Sequence, residues 1–191
     1  MRITDYKVLL ASNSPRREEL LRGLDIDFEI KVLPDIDESY PSDLPVEEVA
    51  EFLALKKASS YTSNLKDDEL LITADTVVIL NNVIYGKPTN KEEAKEMLCA
   101  LSGKTHRVIS GVCLASTKKQ TSFSVSSDVV FSELTNDEIE YYIERYAPYD
   151  KAGSYGIQEW IGYIGVKHLS GSYFNIMGLP IQRLYRELKS F

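Results

Sequence analysis

The sequence predicts an α/β fold in which helices flank a mixed, twisted sheet. Apolar segments of strand length alternate with segments of helical period along most of the chain. Two long strand-like segments follow one another in the second half, which adds a hairpin to this alternation. The 191 residues contain no linker-like or repetitive segment, so we expect a single domain over residues 1–191, with room for two lobes.

The first half of the chain alternates strand and helix signals. Ser14 suits a helix N-cap and Pro15 the first helical position, and Asn81-Asn82 suits a tight turn between two strands. The predicted strands are 8–10, 28–33, 70–80 and 83–85. The predicted helices are 15–24 and 45–61, with a loop rich in Asp, Ser and Pro over 34–45.

Two capping boxes begin helices in the second half. The boxes at 90–93 and 135–138 start helices that should end at Gly103 and near Tyr146, and Pro180 opens a last helix to residue 188. The remaining predicted segments are a long strand pair, 106–115 and 122–134, and a Gly- and aromatic-rich stretch of short strands and turns, 149–174.

Composition limits the class of protein. A net charge of −7 argues against non-specific binding to nucleic acid or an anionic membrane. No segment approaches the roughly 20 apolar residues of a membrane span, and the first residues lack a signal core. Cys99 and Cys113 are predicted to be core thiols in a reducing cytoplasm. The tyrosines predicted on a helical core face are Tyr141, Tyr142 and Tyr146.

The segment 11–17, Ala-Ser-Asn-Ser-Pro-Arg-Arg, joins the first predicted strand to the first predicted helix. Arg16 and Arg17 place two cations in the first helical turn, where the helix dipole favours anions, at a cost of roughly 0.3–1 kcal/mol each. A bound phosphate removes this conflict, because free N–H groups, the Ser12 and Ser14 hydroxyls and two guanidinium groups all bind it. The alternative is a surface helix whose arginines point into water or pair with neighbouring glutamates.

Asp75 interrupts the apolar strand predicted over 70–80. A carboxylate in such a strand is costly unless it is paired or binds a metal ion. The alternative is an aspartate at a strand end that accepts hydrogen bonds from the backbone. Because the apolar pattern continues on both sides of Asp75, we favour a functional role.

Other polar residues are weaker candidates when they are considered alone. Lys87 stands in a Gly-Lys-Pro sequence that fixes its backbone, whereas Lys57 lies near a helix C-terminus, where a lysine is favourable without any ligand. Asp35, Asp37 and Glu38 lie on a loop that could ligate Mg²⁺ or simply form a solvated acidic surface.

Gln158 follows a segment with glycines at 153 and 156, which let a backbone approach a ligand closely. Its amide both donates and accepts, which suits the edge of a nucleobase; the alternative is a turn with a surface glutamine. The two histidines, His106 and His168, are predicted to be structural.

In their order along the chain, these segments resemble the Maf family of nucleotide pyrophosphatases, once described as septum formation proteins. Each segment alone is weak, but the ordered set is specific and spans nearly the whole chain. The matching segments are 10–17, 37–38, 57–58, 74–78, 86–88, 102–108, 155–158 and 178–180.

The resemblance implies a fold like that of inosine triphosphate pyrophosphatases, with two lobes around a central cleft, and often a homodimer. It also implies a divalent metal cofactor, Mg²⁺ or Mn²⁺, and hydrolysis of a nucleoside triphosphate to the monophosphate and pyrophosphate. Arg16, Thr76 and Gln158 resemble the branch that acts on dTTP and UTP, so CTP and modified pyrimidine nucleotides are also candidates. The branch acting on methylated guanosine triphosphate typically has Trp and Gln at the first two positions.

The resemblance also implies roles for individual residues. Asp75 matches the catalytic acidic residue, which takes a proton from water or holds the metal, and Glu38 matches an acidic position credited with metal binding. The phosphate-site positions are matched by Ser12, Arg17, Lys57 and Lys87.

Three hypotheses follow for the function. The first is a hydrolase of dTTP and UTP with a role in cleaning the nucleotide pool and in cell division arrest. The second is a non-catalytic nucleotide-binding regulator of septum formation, and the third is a phosphatase that removes terminal phosphates. The carboxylate of Asp75 within its strand favours the first, because a sensor does not need it.

Overall fold

The computed structural model describes residues 4–191, which contain seven strands and seven α-helices. The strands are β1 (Lys7–Leu10), β2 (Phe28–Ile30), β3 (Glu69–Leu80), β4 (Val83–Tyr85), β5 (Thr105–Ala115), β6 (Gln120–Phe131) and β7 (Val166–Ser170). The helices are α1 (Pro15–Arg22), α2 (Val49–Ser59), α3 (Lys91–Leu101), α4 (Asn136–Tyr146), α5 (Trp160–Gly165), α6 (Tyr173–Met177) and α7 (Ile181–Ser190).

The strands form a mixed sheet, which confirms the predicted fold class. Hydrogen-bonded neighbours follow the order β2-β1-β3-β5-β6-β7, and β4 pairs with β3. β1 pairs in parallel with β2 and β3, whereas the β3–β4 and β6–β7 pairs are antiparallel. The β3–β4 turn has positive φ at both Asn81 and Asn82, as a two-residue turn of type I′ requires.

The chain divides into two compact units, in agreement with the two lobes expected from the resemblance. Unit 1 comprises the residues up to Asp75 together with Ser110–Val125 and Gly178–Phe191. Unit 2 comprises Thr76–Ile109 and Ser126–Met177.

In unit 1, helix α2 packs against strands of the sheet with almost no space between the backbones. A Cβ built on Gly111 of β5 would lie 2.3 Å from the Ala50 carbonyl carbon and the Glu51 nitrogen of α2. The buried Thr73 hydroxyl of β3 donates to the Ala54 carbonyl oxygen at 2.6 Å. These contacts fix α2 on β3 and β5, and therefore fix the side chains that α2 presents.

The core of unit 2 contains a buried His106, as the sequence predicts for a structural histidine. Its Nε2 lies 2.7 Å from the Tyr155 hydroxyl, and its ring meets the rings of Phe131 and Tyr155 edge to face. Burial lowers the pKa of His106 from 6.5 to about 4, against an opposing effect of the Asp128 carboxylate. The imidazole is therefore neutral at physiological pH.

We expect the free energy of unfolding to fall as the pH decreases between 6.5 and about 4, because only the unfolded chain then protonates His106 readily. A pKa shift of one unit corresponds to about 1.36 kcal/mol, so the titration of His106 lowers the free energy of unfolding by up to about 3 kcal/mol over this pH range. His106→Gln removes this titration. The free energy of unfolding, measured with urea at several pH values in this range, should therefore depend less steeply on pH than in wild type. Identical slopes for the two proteins would contradict the prediction.

The structure corrects several details of the sequence interpretation. The second strand is shorter than predicted, 28–30, and α2 begins at Val49 rather than at residue 45. The stretch 149–174 contains the short helix α5 and the start of α6 in addition to the strand β7. Cys99 is exposed, since α3 turns it away from the buried face formed by Ala94, Met97, Leu98 and Leu101. Tyr141 is also half exposed, whereas its neighbour Tyr142 on α4 is buried.

Among residues 4–191, no helix combines the length and the apolar character that crossing a membrane would require.

Candidate active site

The turn between β1 and α1 places Ser12 and Ser14 directly before the first turn of α1. Ser14 occupies the N-cap position with an extended backbone, but its side chain makes no capping hydrogen bond. The Ser14 N–H instead donates to the hydroxyl of the buried Ser12 at 3.2 Å. Pro15 follows at the first helical position. The Ser14 side chain therefore does not cap α1, and a helix N-terminus is a position where phosphate groups commonly bind.

Arg17 is held beside this turn by a distant part of the chain. Its Nε donates to the Gly178 carbonyl oxygen at 2.8 Å, and its Nη1 lies 3.5 Å from the Ser12 hydroxyl. Gly178 has a φ of 114°, a conformation that other residues rarely adopt, and so presents its carbonyl without strain. Burial lowers the pKa of Arg17, and the Asp75 carboxylate opposes that shift. An arginine remains charged under these conditions.

Lys57 stands between two carboxylates. Its Nζ lies 2.5 Å from Asp75 Oδ1 and 2.8 Å from Glu38 Oε1. The side chains of Lys57 and Asp75 are 13% and 16% exposed, so this pair is largely shielded from water, whereas Glu38 is 54% exposed. Lys57 lies in the last turn of α2, and the helix dipole stabilises its charge there. The arrangement joins a strand carboxylate, a helix cation and a loop carboxylate.

Neighbouring residues repeat the same pairing one position earlier. Lys56 Nζ donates to Asp37 Oδ2 at 2.7 Å and to the Ser39 carbonyl oxygen at 2.6 Å. The bond from Lys56, with two further bonds from Ser39, lowers the pKa of Asp37 to about 2. Consecutive acidic residues of the loop therefore meet consecutive lysines of α2, and this register directs Glu38 to Lys57.

Arg16 lies in the first turn of α1, in unit 1, whereas Thr76, Lys87 and Gln158 lie in unit 2. Lys87 is exposed and follows the β3–β4 hairpin, and Thr76 stands in β3. Gln158 lies in a turn closed by the Glu159 N–H, which donates to the Gly156 carbonyl oxygen at 3.0 Å. Its side-chain oxygen is buried and has no hydrogen-bond partner among residues 4–191.

The donor set suits a divalent cation that a substrate helps to hold. Within residues 4–191, no group of three or more His, Cys, Asp or Glu side chains forms a ready metal cage. Asp75 and Glu38, however, both reach the same ammonium group. Mg²⁺ is commonly held by one or two carboxylates together with substrate phosphates. The two carboxylates therefore fit such an ion without a third protein ligand.

The family assignment rests on a match over almost the whole chain. The family model described as "Maf-like protein" matches residues 7–191. The chain belongs to the Maf family. The Maf protein is 59% identical over 184 residues to a protein of Phocaeicola vulgatus named "dTTP/UTP pyrophosphatase", covering 96% of this chain and 95% of the relative. A relative of the same name from Flavobacterium johnsoniae is 46% identical over 190 residues, covering 98% and 96%.

A solved structure has the same fold. The Staphylococcus aureus Ham1 protein matches this Maf protein with a TM-score of 0.58 and covers 96% of this chain and 98% of its own. The two sequences are 14% identical, so the likeness concerns the fold alone.

The spacing of residues in the sequence does not indicate all of the site residues of this Maf protein. Lys57 has an ordinary explanation at a helix C-terminus, and only the family resemblance singles it out. The contact of Arg17 with Gly178 gives no sequence signal, because 161 positions separate the two residues. The adjacent acidic residues 37–38 and the adjacent lysines 56–57 are a signal that the sequence does contain, because two neighbouring acidic residues can form ion pairs, in order, with two neighbouring lysines.

Proposed function

We propose that this Maf protein hydrolyses pyrimidine nucleoside triphosphates, dTTP and UTP first among them, to the monophosphate and pyrophosphate. The single observation that carries the proposal is the Asp75–Lys57–Glu38 group, whose two carboxylates also act electrostatically on Arg17 in the first turn of α1. A carboxylate and a cation next to a phosphate site supply a base and charge stabilisation, which phosphoryl transfer needs. The names of the relatives support the choice of nucleotide.

In this proposal, unit 1 binds the phosphates and directs the attack at the α-phosphorus. The α1 N–H groups, the hydroxyls of Ser12 and Ser14, and Arg17 hold non-bridging oxygens. The ammonium of Lys57 stabilises the charge that develops as the α–β bridge breaks. Asp75 accepts the proton of the attacking water or helps to hold the metal ion.

A divalent ion fits this proposal as the cofactor. Glu38 and Asp75 would hold it together with substrate phosphates. When bound, such an ion neutralises phosphate charge and acidifies water. We propose Mg²⁺ or Mn²⁺.

Further contacts with the substrate are assigned by residue type. We propose that Lys87 binds phosphate oxygens as a point charge. Arg16, Thr76 and Gln158 are proposed to contact the base, since a wrong base leaves a polar group unpaired and loses affinity.

The setting of the reaction is part of the proposal. Cys99 and Cys113 form no disulfide, which suits the reducing cytoplasm. The net charge of −7 disfavours non-specific binding to nucleic acid or to an anionic membrane, so local cations such as Arg17 and Lys57 must hold an anionic substrate. We also predict that residues 1–191 form a single functional domain and that the protein is a homodimer. A role in the nucleotide pool or in cell division is a further prediction.

The deciding experiment separates the products and the bond that breaks. Purified protein with Mg²⁺, and in parallel with Mn²⁺, is incubated with each common nucleoside triphosphate in ¹⁸O-labelled water. We expect pyrophosphate from dTTP and UTP at rates at least about tenfold above the purine nucleotides, with ¹⁸O in the monophosphate.

Other outcomes reject the proposal in distinct ways. Orthophosphate as the first product identifies a terminal phosphatase. Pyrophosphate mainly from guanine nucleotides keeps the chemistry and contradicts the roles of Arg16, Thr76 and Gln158. Tight binding of dTTP without any product favours the non-catalytic regulator.

A further inference from the structure

The turn that carries Gln158 is built around a glycine. Residues 156–159 form a tight turn in unit 2, with Gln158 as its third residue. A Cβ added to Gly156 would lie 2.8 Å from the Glu159 carboxyl carbon and 3.1 Å from Gln158 Nε2. The side chains of Gln158 and Glu159 thus pack directly on the bare Cα of Gly156. Their positions depend on what holds the two ends of this turn.

A single hydroxyl holds both ends. Tyr142 of α4 is fully buried, and its hydroxyl accepts a hydrogen bond from the Gly156 N–H at 3.0 Å. The same hydroxyl donates to Glu159 Oε2. Burial, with the Glu159 carboxylate as the second cause, raises the pKa of Tyr142, so the hydroxyl keeps its proton. Gly156 and Glu159, the two ends of the turn, are therefore tied to one point on α4.

Lys151 fixes the other oxygen of the same carboxylate. Its Nζ lies 3.1 Å from Glu159 Oε1 and 2.7 Å from Asp150 Oδ1, and the Lys151 side chain is only 8% exposed. A buried ion pair contributes little net stability, because desolvation offsets the attraction, but it fixes the orientation of its members. The network Lys151–Glu159–Tyr142–Gly156 thus fixes a backbone turn by charge and hydrogen bonds.

Gln158 is the member of this turn whose polar group remains unsatisfied. Its Oε1 is buried and lacks a hydrogen-bond partner among residues 4–191, whereas buried polar groups are ordinarily paired. An N–H group of a ligand would satisfy this acceptor. Uracil and thymine carry such a donor at N3, whereas N3 of cytosine is an acceptor. A fixed acceptor therefore favours the two bases named for the relatives.

We propose that Tyr142, with Glu159 and Lys151, is a positioning residue that orients the Gln158 amide for recognition of the pyrimidine N3–H. This inference rests on the proposed function, in which Gln158 contacts the base. Tyr142 itself acts through the turn and not on the reacting atoms. Loss of its hydroxyl should therefore weaken base recognition without changing the handling of phosphates.

The main test is Tyr142→Phe, with Tyr141→Phe as the matched control. Tyr141 is the neighbouring tyrosine, is half exposed, and packs edge to face on Trp160. For Tyr142→Phe we expect KM for dTTP to rise about tenfold with kcat within about twofold, as expected for a loss of uniform binding. Inhibition by inorganic triphosphate, a probe without a base, should be unchanged. Tyr141→Phe should match wild type in all three measurements.

A double-mutant cycle tests whether Tyr142 acts through Gln158. Gln158→Leu alone should raise KM for dTTP, and adding Tyr142→Phe should then change KM by no more than about twofold. Equal weakening of dTTP and inorganic triphosphate by Tyr142→Phe would overturn the inference, because it would indicate a general structural role.

Failure of the inference and failure of the proposed function are distinguishable. If Gln158→Leu leaves the preference for dTTP over ATP as in wild type, the proposed base contact fails, and the inference fails with it. If Gln158→Leu lowers that preference and Tyr142→Phe does not, only the inference fails.

A second pair of variants carries the test if Tyr142→Phe does not fold. Glu159→Gln keeps an acceptor for the Tyr142 hydroxyl, whereas Glu159→Ala removes it. We expect KM for dTTP to rise about tenfold in Glu159→Ala and less than about threefold in Glu159→Gln. Equal KM values for these two variants would overturn the inference.

Discussion

Asp75→Asn is expected to reduce kcat for dTTP by about a thousandfold or more. The substitution removes the β3 carboxylate that lies 2.5 Å from Lys57 Nζ, and with it the proposed base or metal-holding group. General base catalysis alone contributes about 10²–10⁴-fold, and loss of a metal contact adds to this. Pyrophosphate release under saturating dTTP and Mg²⁺ measures the effect. A rise in the Mg²⁺ concentration needed for half-maximal rate would assign Asp75 to the metal; an unchanged requirement would assign it to the proton.

The fold should survive this change, because Lys57 keeps its contact with Glu38 at 2.8 Å. The thermal midpoint of Asp75→Asn should therefore remain close to that of wild type. Asp43→Asn serves as a matched control, since it removes an exposed carboxylate from a loop of the same unit and should leave kcat unchanged. Near-normal turnover by a folded Asp75→Asn protein would reject Asp75 as the catalytic carboxylate.

Gly111→Ala is expected to destabilise the protein by about 3 kcal/mol, the upper end of the usual cost of overpacking, since a methyl group would meet the backbone of α2 rather than a movable side chain. Helix α2 can relieve the contact only by moving away from β5, and Lys57 moves with it. Activity should therefore fall together with stability. Urea unfolding measures the loss of stability, and the dTTP assay measures the displacement of Lys57.

Gly86→Ala is the control for Gly111→Ala. A Cβ at Gly86 meets nothing within 4 Å, so its free energy of unfolding should stay within about 0.5 kcal/mol of wild type. Comparable destabilisation by both variants would mean that the close approach of α2 to β5 does not account for the effect.

Local signals in the sequence predict much of the fold. The box of Thr135 and Glu138 forms with both of its hydrogen bonds, and the Asn81-Asn82 turn has the backbone that such a sequence favours. The apolar run around Asp75 is the buried strand β3. These features were predictable because each depends on residues close together in sequence.

The candidate site depends mostly on contacts that no local pattern encodes. Lys57 reaches Asp75 across 18 positions, and Arg17 reaches Gly178 across 161. The short helices α5 and α6 lie in a segment whose glycines and aromatic residues suit turns equally well, so packing decides their conformation. Cys99 illustrates the same limit, because its exposure depends on the rotation of α3 about its axis.

The separation of Arg17 from Gly178 has a consequence for biosynthesis. Unit 1 is assembled from three stretches of chain, and its last stretch begins at Gly178. When α1 and β3 have emerged from the ribosome, Gly178 has not yet emerged, so the contact between Arg17 and Gly178 cannot form. Contacts so distant in sequence also slow folding, because a large loop must close before they form. Competence to bind nucleotide should therefore arise late during synthesis, and ribosome-stalled chains that stop before Gly178 should bind dTTP poorly.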